Sequence, residues 1–196
     1  METEVTAKQP HRRLMAELAY HDLEVGGAKN FHVVSHGRIF SSAQPNRQQF
    51  IEMEKHGCVS VLNLRSHHSD LPIISGLQIK EYRVATHHMT EDDVKAALEV
   101  LRDAPKPLLI HSCRGIDRTG LVVAAYRIVF ENILPSEALS RYRDRANGLH
   151  RYLYRAFPRL IRKIDWEAMK KAILSGQPEE AAQKNVVPDG ENACNE

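Results

Sequence analysis

The chain reads as an α/β protein with a mostly parallel central sheet flanked by helices and a helical C-terminal third. Three observations predict this. Short apolar, β-branched runs alternate with amphipathic stretches of helical period from about residue 31 to residue 130, and strands alternating with helices favour crossover connections and parallel pairing. Beyond residue 130 only helical periodicity remains, up to about residue 175. At 107–120 an apolar strand runs into a short glycine-containing loop that opens a helix, and such sheets place ligands at the carboxyl ends of central strands.

The elements follow in order. Residues 1–10 carry no periodic pattern, and 11–20 could form a short helix. Residues 31–35 and 38–41 form two short strands around the His36-Gly37 turn. Ser42-Ala43-Gln44-Pro45-Asn46 is a loop, and Asn46 is a suitable cap for a helix over 47–55 that ends at His56-Gly57. Residues 58–64 have a buried strand pattern, 67–77 a loop pattern, and 77–84 a second strand pattern. Thr90 caps a helix reaching Asp103, with Val94, Ala97, Leu98 and Leu101 on one face. Pro105-Lys106-Pro107 leads tightly into the strand 107–111, and helices follow over 119–132, 136–146 and 149–163, with 165–175 extending the helical end. The expected organisation is an N-terminal extension (1–24), one domain (25–175) and a flexible tail (176–196) rich in Gln, Glu, Asn and Gly.

Composition narrows the function classes. The 196 residues suffice for one sizeable core and leave no room for two full domains. A net charge of +2 makes no case for nucleic acid or an anionic membrane. The basic run 141–162, with tyrosines at 142, 152 and 154, fits solvated helix faces and lacks an RNA motif. The three cysteines, Cys58, Cys113 and Cys194, lack the spacing of a disulfide framework or a zinc site. The doublets His67-His68 and His87-His88 are poor chelators taken singly, because neighbours on an extended chain point to opposite faces. No metal and no cofactor are expected. Residues 1–18 are polar and lack the apolar core of a secretion signal, so the expected location is cytoplasmic, with no membrane span.

The segment Leu109-Ile110-His111-Ser112-Cys113-Arg114-Gly115-Ile116-Asp117-Arg118-Thr119-Gly120 carries the chemistry. A strand, a tight loop and a helix N-terminus together make an anion cradle: backbone N–H groups and the positive helix end converge on a phosphate-sized ion. Arg118 is placed to hold two oxygens of that ion bidentately.

This segment resembles the phosphate loop of the cysteine-dependent protein tyrosine and dual-specificity phosphatases, which reads His-Cys, five residues, Arg, Ser or Thr. Two further stretches carry the resemblance. Arg38-Ile39-Phe40-Ser41-Ser42-Ala43-Gln44-Pro45 is similar to an Arg-Ser-(Ala/Gly)-Gln-Pro stretch of the bacterial and plant-type dual-specificity branch, with Ser41 where those relatives often carry arginine. Val61-Leu62-Asn63-Leu64-Arg65 is similar to their Val-Ile-Asn-Leu-Arg strand. The resemblance covers roughly residues 37–165 and implies a phosphatase acting on phosphate monoesters through a cysteinyl-phosphate intermediate. The expected partner is a phosphorylated protein or a small phosphate ester.

The chain departs from that family at one decisive position. Counting back six from Arg118 gives Ser112, after His111, where the family carries its nucleophile; Cys113 is one residue late. A thiolate is nucleophilic near neutral pH when a helix N-terminus and an arginine lower its pKa, whereas a serine hydroxyl without an adjacent base stays protonated. Three readings stand open: a Cys→Ser change that traps substrate, a natural non-catalytic binder of phosphorylated ligands, or Cys113 as nucleophile. On the third, Cys113, four residues and Arg118 match the loop length of rhodanese sulfurtransferases, with Gly115 two rather than three after the cysteine.

The remaining roles are implied by the resemblance. Residues Cys113, Arg114, Gly115, Ile116, Asp117 and Arg118 would supply the phosphate-binding loop, Thr119 the hydroxyl that stabilises the thiolate, His111 an orienting hydrogen bond, and Arg65 a brace from the neighbouring strand. Two residues compete for the general acid. His87 falls where relatives carry an aspartate, and Asp117 occupies the loop position of the proposed acid in myotubularins; Asp70 and Asp92 are further candidates. Arg114 is basic but Ile116 apolar, a pattern that favours phosphotyrosine-type or aryl substrates over inositol polyphosphates.

Overall fold

The computed structural model describes residues 27–145 and 156–176. The expected N-terminal extension with its helix over 11–20, the first residues of the 149–163 helix and the tail beyond residue 176 lie outside the described residues.

Five strands form one sheet: β1 (His32–Ser35), β2 (Ile39–Ala43), β3 (Ser60–Asn63), β4 (Lys80–Arg83) and β5 (Leu108–Ser112). Their spatial order is β1-β2-β5-β3-β4, with β1 antiparallel to β2 and the other three pairings parallel. The mostly parallel α/β sheet expected from sequence is therefore present. Seven helices accompany it among the described residues: α1 (Arg47–Lys55), α2 (Leu71–Ile74), α3 (Glu91–Asp103), α4 (Asp117–Phe130), α5 (Pro135–Arg145), α6 (Ala156–Lys163) and α7 (Trp166–Ser175).

The central strand β5 has helices over both faces, so it needs no polar alternation. Leu108 and Ile110 enter one apolar cluster with Val94, Leu98, Leu121 and Ile128 of α3 and α4. Leu109, pointing the other way, joins Phe40, Phe50, Met53 and Val61 under α1. Each such side chain contributes about 1.5–3 kcal/mol when fully buried. Helix α4 is buried almost all round, including Leu121, Val122, Ala124 and Ala125, so it stands as the rigid post behind the loop that precedes it.

Local chemistry sets the boundaries. Asn46 and Thr90 each form a reciprocal capping box, with Gln49 and Asp93 respectively. Asp165 caps α7 through the amides of Glu167 and Ala168, so 165–175 is a separate helix rather than an extension of the one before it. The expected loop 67–77 contains the short helix α2, with a proline in its first turn. Helix α4 starts at Asp117, two residues before the expected start, which places Arg118 and Thr119 in its first turn.

Register decides where the site lies. Ala43 pairs with Ser112 and Asn63 with His111, so β2, β5 and β3 end side by side. Their following loops share the carboxyl edge of the sheet with the segment after β4, whose Arg83 pairs with Asn63.

Candidate active site

Ser112 closes β5, and four loop residues separate it from α4. The loop is held from outside. Gln44 N donates to the Cys113 carbonyl (3.2 Å), Asn30 Nδ2 to the Arg114 carbonyl (2.8 Å), and Gly120 N to the Ile116 carbonyl (2.8 Å). Gly115 has φ +68, and a Cβ there would overlap the backbone of Ser42 and Ala43. Only glycine meets both demands: a left-handed conformation, and close approach of the loop to the end of β2.

Ser112 is 3% exposed, and its Oγ is a focus of donors. Thr119 Oγ1 donates to it at 2.9 Å and the Gly115 amide at 3.2 Å. Two donors and a helix N-terminus converging on one side-chain atom form an environment that stabilises negative charge there.

Arg118 donates through Nη1 to the carbonyls of Leu64 (3.0 Å) and Thr86 (3.1 Å). Both bonds use one nitrogen. The Nε–Nη2 edge makes no hydrogen bond among the described residues, and such an edge of a guanidinium has the shape to take two oxygens of an anion. The guanidinium is thus fixed by the loops after β3 and β4 before any ligand arrives.

His111 is buried, and its Nε2 lies 2.5 Å from Asp70 Oδ2. Gln44 Nε2 donates to Asp70 Oδ1 at 2.7 Å, and Arg65 Nη1 donates to Gln44 Oε1 at 2.9 Å. Burial works to raise the Asp70 carboxyl, but the hydrogen bond and charge of His111, with Gln44 and His68 behind them, hold it below the ordinary carboxylate range. The chain His111–Asp70–Gln44–Arg65 ties the base of the loop to its neighbours, so Arg65 braces through Gln44. Neither Gln44 nor Asp70 stands out in sequence as a partner of His111. The Ser-Ala-Gln-Pro stretch was the signal for Gln44; Asp70 sits in a loop whose fold no local pattern specifies.

The acid candidates separate. Asp117 is 7% exposed and begins α4 beside Arg118. Asp70 is fully buried and committed to His111 and Gln44. Asp92 is exposed in the first turn of α3, where acidic residues suit the helix dipole. His87 is exposed, with Nε2 2.5 Å from His67 Nε2 and Nδ1 3.4 Å from Ser66 Oγ. The histidine doublets are therefore split: His68 lies 3.7 Å from Asp70, whereas His67 and His87 meet across two loops. Among the described residues, no group of three or more His, Cys, Asp or Glu side chains is placed to hold a metal.

Solved structures sharing this architecture are numerous. The structure of P. aeruginosa TpbA is 23% identical with a TM-score of 0.67, covering 74% of this chain and 91% of that one. The core catalytic domain of the PP-IP phosphatase SIW14 from S. cerevisiae, in complex with citrate, is 25% identical with a TM-score of 0.65, covering 76% and 93%. DUSP15 is 13% identical with a TM-score of 0.58, covering 76% and 97%. The fold is that of the cysteine-based tyrosine and dual-specificity phosphatase superfamily. No protein-family model and no curated protein matches the chain by sequence. The strand, loop and helix around Ser112 are all in place. Among the described residues no helix is long and apolar enough to cross a membrane.

Proposed function

We propose that the loop at 112–118 is a phosphoryl-binding cradle of a phosphate-monoester phosphatase, and that serine at position 112 leaves the chain able to hold a phosphoryl group without turning it over. The observation that carries this reading is the convergence of Thr119 Oγ1 and the Gly115 amide on Ser112 Oγ, six residues before Arg118. A sulfur at that atom would be held as a thiolate by the same donors. It would attack phosphorus, forming an S–P bond as the P–O bond breaks, while an acid protonates the departing oxygen; water would then cleave the S–P bond.

Asp117 is the acid in this proposal. It lies in the cradle at the start of α4, beside Arg118, whereas Asp70 is fully buried against His111. Support for the trapped state comes from a related fold: a Cys→Ser form of P. aeruginosa TpbA, 24% identical to this chain, has been solved in complex with phosphotyrosine. On this reading the ligand is a phosphotyrosine-like ester, in keeping with apolar Ile116 in the loop.

The test is direct. Ser112→Cys hydrolyses an aryl phosphate, and the chain with Ser112 is near silent. If the chain with Ser112 already turns over and Cys113→Ala abolishes this, the register is wrong. Transfer of sulfur from thiosulfate would move the reading to rhodanese chemistry. If Ser112→Cys is silent but phosphotyrosine still stabilises the fold, the protein is a binding module for phosphorylated ligands on the same scaffold.

A further inference from the structure

The geometry points to a site for a divalent cation of the zinc or copper class between His67 and His87, at the rim of the cradle. His67 follows β3 by four residues and His87 follows β4 by four residues, on the same sheet edge. Their Nε2 atoms lie 2.5 Å apart and their rings 4.5 Å, tilted by 57°. Only one hydrogen fits between two such nitrogens: one ring donates and the other offers its lone pair. At a pH where both imidazoles are neutral, a metal ion in place of that hydrogen would accept a lone pair from each.

The required movement is small. Zinc binds imidazole nitrogen at about 2.0–2.1 Å, which in tetrahedral geometry sets two ligand nitrogens about 3.3 Å apart. The nitrogens would separate by roughly 1 Å or less, and both side chains are exposed and carried on loops. A second observation marks His87 as a ligand: its Nδ1 faces Ser66 Oγ at 3.4 Å. Metal-bound histidines usually spend their other ring nitrogen on such a partner; with Nδ1–H donating to Ser66 Oγ, Nε2 would be left for the metal. Imidazole without carboxylate selects zinc or copper over magnesium and calcium.

The site would clamp two loops that already share a task. Leu64, three residues before His67, and Thr86, next to His87, offer the carbonyls that hold Arg118 Nη1. With two protein ligands, the remaining coordination positions are filled by water or by an anion.

The experiment titrates Zn²⁺ into the full chain at pH 7.5 by calorimetry and follows histidine ring signals by NMR. One site is expected, whose ring shifts are confined to His67 and His87. His67→Ala and His87→Ala each weaken binding by more than the roughly 10–100-fold that loss of an outer partner costs. His88→Ala, whose ring centroid lies 6.5 Å from that of His87, leaves the affinity unchanged, and Mg²⁺ produces no shifts. His67→Gln keeps the test valid should the alanine variant misfold. Equal affinity in the His67 or His87 variants, or an equal loss in His88→Ala, would show diffuse histidine binding and overturn the site.

Discussion

Arg118 shows how much a single side chain is asked to do. Its Nη1 is spent on two backbone carbonyls, and in the proposed function its other edge grips an anion. An ammonium satisfies neither the fixed orientation nor the fork. Inorganic phosphate or vanadate is expected to raise the melting temperature of the chain by mass action, and Arg118→Lys is expected to abolish most of that shift. A scan in which the lysine variant is stabilised equally would mean that Arg118 does not clamp the anion. The acid is decided at the same scale. In a Ser112→Cys background, Asp117→Asn is expected to lower turnover by roughly 10²–10⁴-fold, the usual range for loss of a general acid. The loss should shrink for substrates with good leaving groups, while His87→Gln alters turnover far less. The opposite ranking in a leaving-group series assigns the acid to His87. The sequence made Arg118 and Thr119 legible because a fixed spacing places them in one helical turn. It did not make the pairing of His111 with Asp70 legible: 41 residues separate them, and the contact exists only because β3 and β5 are neighbours.

Among the elements, the capped helices α1 and α3 were readable to within a residue, because Asn46 and Thr90 announce their starts. Helix α2 was not, since four residues hold no periodicity and a proline there reads equally as loop. Strand β4 is shorter than the 77–84 expected from sequence, because the alternation continues into flanking residues outside the ladder. The loop before α4 is the element on which the proposed function rests, and its glycine tests it. At Gly115 a side chain meets both positive φ and the backbone of β2, whereas at Gly57 (φ +90) nothing lies within 4 Å of an added Cβ. Gly57→Ala therefore measures backbone strain alone, on the order of 1 kcal/mol or somewhat more. Gly115→Ala adds a steric clash, worth typically about 1–3 kcal/mol, and displaces the amide that faces Ser112. Urea unfolding should show Gly115→Ala as clearly the less stable of the two, with phosphate stabilisation lost in that variant only. Equal midpoints and retained phosphate binding would mean that the loop does not depend on its contact with Ser42 and Ala43.

The fold as a whole is held within a pH window set by a few buried and half-buried groups. Burial depresses His68, with the charge of Arg65 adding to it, and Asp70 is held low by His111 despite its burial. For both, the unfolded chain takes up the proton first, so stability is present above their ordinary values of 6.5 and 3.8 and is lost as pH falls through the folded ones. Acid weakening begins with His68 and resumes below 3.8, where the unfolded chain protonates the carboxylate that the folded chain still keeps ionised against His111. On the alkaline side two groups oppose each other. Burial lowers Lys106 from 10.5 to about 8, and pushes the Cys58 thiol from 9.0 up to about 12. Between pH 8 and 9 the unfolded chain still holds the lysine proton that the folded chain has released, so stability rises with pH. Above pH 9 the unfolded chain ionises the Cys58 thiol while the folded chain does not, and this loss offsets the gain. Each group contributes a slope of at most about 1.4 kcal/mol per pH unit. Lys106→Met should remove the rise between pH 8 and 9 and, by sparing a buried ammonium, stabilise the chain at pH 7. Cys58→Ala should instead let the rise continue above pH 9 toward 10.5, where the unaltered chain levels off, at the cost of a small cavity. Urea midpoints recorded from pH 5 to pH 10.5 separate the two effects. A Lys106→Met curve running parallel to that of the unaltered chain from pH 7 to pH 9 would mean that this ammonium is as well solvated in the folded chain as in the unfolded one.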